Sequence, residues 1–77
     1  MKQYHIVWEI VGIKTSEEDV TFDEIVNVLV YCYNTSLSKV LPEVVNGMKK
    51  GETVSCTFPV SGDTITITAL EDTFIPF

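Results

Sequence analysis

His5 is the one histidine of this sequence, so general acid–base chemistry or an activated nucleophile would have to be built around it. The candidate nucleophiles are Cys32 and Cys56. Cys32 falls in an apolar run at helical spacing and Cys56 alternates with hydroxyl residues, patterns that suit inert core thiols better than a Cys–His dyad. Zinc takes four Cys or His ligands, and the chain holds three such residues, far apart in sequence. Glu17, Glu18 and Asp19 do not follow the acid spacing of a calcium loop. Gly47 and Gly51 bracket Lys49 and Lys50 without forming a phosphate-cradling loop. The expectation is a protein that is not an enzyme, with no catalytic residues, no cofactor and no metal site.

Chemistry of another kind is suggested by charge. Eleven acids stand against five lysines, arginine is absent, and the formal net charge is −6. Nucleic-acid surfaces need clustered Lys and Arg, so direct binding of nucleic acid is not expected. Glu17, Glu18, Asp19, Asp23 and Glu24 crowd into one stretch. They form either a docking patch for a basic surface or a mimic of DNA phosphates. Their ordinary explanation is a solvated loop followed by the acids that a helix N-terminus prefers, worth about 0.3–1 kcal/mol each. The second candidate surface is the C-terminal stretch 73–77, where Phe74 and Phe77 either enter a partner's groove or fold back over the core.

These side chains must be held by a small scaffold. A chain of 77 residues with 45% hydrophobic residues is expected to make one domain spanning 1–77. A domain of this size buries only about 60% of the surface that its unfolded form exposes. The opening residues alternate and do not resemble a secretory signal, and no apolar run approaches a membrane span. A cytoplasmic protein with two reduced cysteines is therefore expected.

Residues 3–13 alternate in period two, with Tyr4, Ile6, Trp8 and Ile10 on one side, as in a half-buried strand. Residues 14–19 read as a polar connection. Thr21 followed by Glu24 makes a capping box, and a helix from 22 to about 33 is expected, with Phe22, Ile25, Leu29 and Cys32 on one stripe. The β-branched run 25–33 leaves a strand as the competing reading. Leu37, Val40, Leu41, Val44 and Val45 mark a second helical stripe, regular only from Pro42, with a tighter turn over 36–41. Residues 53–58 and 64–70 alternate around the Ser61-Gly62-Asp63 turn and form a hairpin. The expected fold is α+β, with two helices on one face of a small antiparallel sheet, in the order strand, helix, helix, strand, strand. The broad apolar surface of the first helix also suggests a homodimer.

One family resemblance can be traced. Gly47, three residues, then Gly51-Glu52, after a short helix and ahead of a strand, Phe58-Pro59 and a last strand over 64–70, resembles the end of FKBP-like domains. It looks most like the C-terminal domain of the Gre transcript-cleavage factors. Ile10-Val11-Gly12 and the later Glu17-Glu18-Asp19 are similar to that domain's opening. About half the chain is covered, by short motifs. The stretch 21–37 departs from the family, the Gre coiled coil is absent, and no isomerase pocket can be identified. The resemblance implies a docking module, with RNA polymerase as a partner, and neither cleavage nor isomerase activity. The sequence thus points to a non-catalytic adaptor or inhibitor of the kind phages and mobile elements encode, docking on a basic, nucleic-acid-handling protein. The alternatives are a DNA-mimic inhibitor and a reduced FKBP-like domain.

Overall fold

A computed structural model describes residues 2–10 and 14–73 of the chain. The alternating N-terminal segment is strand β1, Tyr4–Ile10, which buries Tyr4 and Ile6. The stretch expected to be a polar connection is instead a strand, β2, Lys14–Val20, paired antiparallel with β1 from Tyr4–Val20 to Ile10–Lys14. Its residues give no apolar alternation because neither face of β2 is covered. Positions 15 to 19 are exposed on both faces, and Val20 is buried.

Helix α1, Phe22–Tyr33, starts at the expected capping box. The Thr21 hydroxyl accepts from the Glu24 N–H at 3.1 Å, and the Glu24 carboxylate accepts from the Thr21 N–H at 3.2 Å. That cap decides the competition between helix and strand, since it satisfies N–H groups that only a helix start leaves open. Asn34, in the left-handed conformation at φ 52°, closes the helix. Ile25 and Leu29 are buried, but the expected stripe does not extend to its ends. Phe22 is 36% exposed and Cys32 is exposed. Beyond α1, Leu37–Val40 forms the short helix α2, and Pro42 begins α3, Pro42–Asn46, where its missing N–H is harmless.

The C-terminal hairpin consists of β3, Thr53–Phe58, and β4, Asp63–Ala69. Gly51, at φ 89°, lets two residues face one. Its N–H donates to the Ala69 carbonyl at 2.8 Å, and the Ala69 N–H donates to the Glu52 carbonyl at 3.0 Å. This glycine bulge sets the phase of the β3–β4 ladder. β4 also pairs antiparallel with β1, giving one sheet in the order β2-β1-β4-β3.

The α+β class, the antiparallel sheet and the helices gathered on one face are as expected from the sequence. Two elements are added, β2 and the short helix α2, which is α-helical where a tighter turn over 36–41 was expected, and the order becomes two strands, three helices, two strands. Tyr4, Ile6, Ile65, Ile67 and Ala69 meet Ile25, Leu29, Leu37, Leu41, Val44 and Met48 in a single core. No helix among the described residues is long and apolar enough to cross a membrane.

Candidate functional site

Strand register sorts the acids before any tertiary contact is considered. Side chains at alternate positions point to opposite faces, so Glu17 and Asp19 share the uncovered face of the sheet with His5, Val7 and Glu9 of β1. Glu18 points to the other face, opposite Ile6, where it borders a 170 Å³ hollow floored by Ile6 and Trp8. Asp23 is exposed in the first turn of α1. Glu24 is turned inward to the cap and also bonds Lys2 Nζ at 3.2 Å, and the Thr21 N–H and then Lys2 hold its carboxyl below the usual range. The acidic stretch is therefore not one patch. Three carboxylates line an exposed edge strand on both its faces, and Asp23 and Glu24 belong to the helix start.

His5 lies opposite Asp19 and becomes the hub of the uncovered face. Its Nδ1 is 2.8 Å from Asp19 Oδ1 and its Nε2 is 3.2 Å from Glu17 Oε2. Both ring nitrogens can donate only in the imidazolium form, so the two carboxylates, Asp19 foremost, raise the His5 pKa. A raised folded-state pKa adds stability that is complete below the unfolded value of about 6.5 and is lost as pH rises through the folded value. The urea midpoint of the wild-type protein is accordingly expected to rise, relative to that of a His5→Gln variant, as pH falls from about 8 to about 6. A constant difference between the two proteins over that range would remove the charged bridge.

The rest of the uncovered face is hydroxylic. Thr53, Ser55 and Thr57 of β3 stand beside Thr68, Thr66 and Thr64 of β4, with Thr53–Thr68 and Thr57–Thr64 hydroxyl contacts at 3.0 and 3.1 Å. The surface thus grades from carboxylates at β2 to neutral hydroxyls at β3.

The two thiols do not approach His5 in chemical terms. Cys56 faces the helices, where burial pushes its thiol up, and Cys32 lies exposed in the last turn of α1. Among the described residues, no three His, Cys, Asp or Glu side chains converge to hold a metal ion.

At the far end of the helix face, Tyr33 joins three elements in a way its position in the sequence does not reveal. Its hydroxyl accepts from Trp8 Nε1 at 2.6 Å and donates to Asp63 Oδ2 at 2.7 Å, while its ring stacks on Phe58 at 4.0 Å between centroids. Burial pushes the Tyr33 pKa to about 12, so the phenol keeps the proton that it gives to Asp63. Phe74 and Phe77 lie outside the described residues. The described chain ends at Thr73, whose N–H and hydroxyl bond the Met48 carbonyl, on the rim of a 420 Å³ hollow lined by Tyr4, Phe22, Val44 and Val45.

No protein-family model, no curated protein and no solved structure matches the chain.

Proposed function

We propose that the chain is a non-catalytic protein-binding module, a small acidic adaptor or inhibitor that docks on a basic, nucleic-acid-handling protein through the β2 edge. The observation that supports this reading most directly is the placement of Glu17, Glu18 and Asp19. All three are exposed on an edge strand, which a partner can approach from either face and from the side. Among the described residues the ion pairs are those of Lys2 with Glu24 and of His5 with Glu17 and Asp19, and Glu18 and Asp23 enter none of them. Glu9 adds a further exposed carboxylate on the His5 face. A field of one sign steers an oppositely charged partner and fixes its orientation, while the hydroxyl rows beside it supply neutral hydrogen-bonding groups.

Partner capture from cell extract with the intact protein and with the triple variant Glu17→Gln/Glu18→Gln/Asp19→Asn tests this. The substitutions keep side-chain size and leave the core untouched. The variant is expected to associate about tenfold or more slowly with the captured protein at low salt, and to lose most of the salt dependence. Displacement of the captured protein by duplex DNA marks it as one whose nucleic-acid site is covered. A partner held equally well, with the same salt dependence, by the triple variant overturns the reading.

A further inference from the structure

The two edges of the sheet are built differently. β2 carries Glu17, Glu18 and Asp19, and charged edge strands resist pairing with another chain. β3, Thr-Val-Ser-Cys-Thr-Phe, has no charged residue, proline or glycine, and among the described residues no strand lies beyond it. Such a run is well suited to accept a further strand. The glycine bulge fixes which of its groups are on offer. Because the Ala69 N–H donates to the Glu52 carbonyl, alternation turns the main-chain groups of Val54, Cys56 and Phe58 toward β4. Those of Thr53, Ser55 and Thr57 point to the free edge.

We propose that the occupant of this edge is a second copy of the chain, with β3 paired antiparallel to the partner's β3 about a two-fold axis at Ser55. In that register Thr53 faces the partner's Thr57, Ser55 faces the partner's Ser55, and Thr57 faces the partner's Thr53. All three outward-pointing residues then exchange main-chain hydrogen bonds. Hydroxyl meets hydroxyl on the uncovered face, and Val54 meets the partner's Cys56 on the helix face, because the strand alternates without a break. Centring on Cys56 instead would bring Pro59 opposite Thr53, where an N–H is required. Charge favours the same end of the sheet. The β2 carboxylates lie three strand spacings from β3, roughly 14 Å at about 4.8 Å per strand, which exceeds the screening length of about 8 Å. The joined sheets carry their acidic edges at opposite outer ends, so this dimer uses neither the surface proposed for a partner nor the apolar side of α1.

Sedimentation equilibrium across a concentration series tests the dimer, using wild type, Ser55→Pro and Thr53→Lys/Thr57→Lys. The Ser55 N–H points away from β4, so proline there removes an edge donor without breaking the internal ladder. The double variant sets lysines opposite one another in the predicted register. Wild type is expected at dimer mass and both variants at half that mass, with the double variant keeping the wild-type circular dichroism spectrum. A wild type at monomer mass throughout, or variants that retain dimer mass, overturns the proposal.

Discussion

Ile67→Ala is expected to remove a large share of the stability of this domain. Ile67 is 0% exposed and lies between Ile6 of β1 and Val54 of β3 in the middle of the sheet, in the same core as Ile25 and Leu29. Truncating a buried isoleucine loses the transfer of its side chain out of water and leaves a cavity that the fixed strands cannot close, about 2–5 kcal/mol together. A chain of this length holds roughly 4–12 kcal/mol in total, so the variant sits near the edge of folding. Urea unfolding followed through Trp8, the single tryptophan, should show a much lower midpoint at an unchanged slope. The neighbouring Thr66→Val, on the uncovered face, should stay within about 0.5 kcal/mol of wild type. Equal midpoints for the two variants would contradict the assignment of faces on β4.

Tyr33→Phe is expected to cost about 1–3 kcal/mol although it deletes a single atom and leaves no appreciable cavity. The hydroxyl is shared by Trp8 and Asp63, so its loss leaves a half-buried indole N–H and a carboxylate without the partner each now has. The stacking of the ring on Phe58 remains, which separates the hydroxyl's contribution from that of the ring. Asp63→Ala and the double variant complete a cycle in which the two substitutions should be clearly non-additive, since they act on one bond. Additive effects would mean that the Tyr33–Asp63 contact contributes nothing to stability. The network ties the C-terminus of α1 to β1 and to the first residue of β4, and so fixes how the helix crosses the sheet.

Elements with strong local signals could be read directly from the chain. The capping box at Thr21 and Glu24 located the helix start, Pro42 divided the second helical stripe, and the threonine alternation defined the C-terminal hairpin. β2 escaped because the periodicity that marks a strand comes from burying one face, and positions 15 to 19 bury neither. The sole cue was the short spacing between β1 and the acids around Gly12, a length that suits a hairpin loop. Cys32 lies outside the covered stripe for a related reason. Helical spacing identifies an apolar stripe, but the width of the stripe that is actually covered depends on the neighbour, and the sheet reaches Leu29 without covering Cys32.

The acidic candidate surface divides along the same line. That Glu17, Glu18 and Asp19 are solvent-facing carboxylates next to a helix start follows from composition and capping alone, because both are local properties of the chain. Their separation onto two faces, and the capture of Glu17 and Asp19 by His5, depend on the pairing of β2 with β1, a register between two separate segments of the chain. The helix-face core and the polar character of the opposite face were likewise present in the alternation of β1, β3 and β4. The Trp8–Tyr33–Asp63 network and the contrast between a charged edge and a bare one arose only when the sheet order β2-β1-β4-β3 set distant residues side by side. Local periodicity specifies which way a side chain points, whereas long-range packing chooses its neighbours.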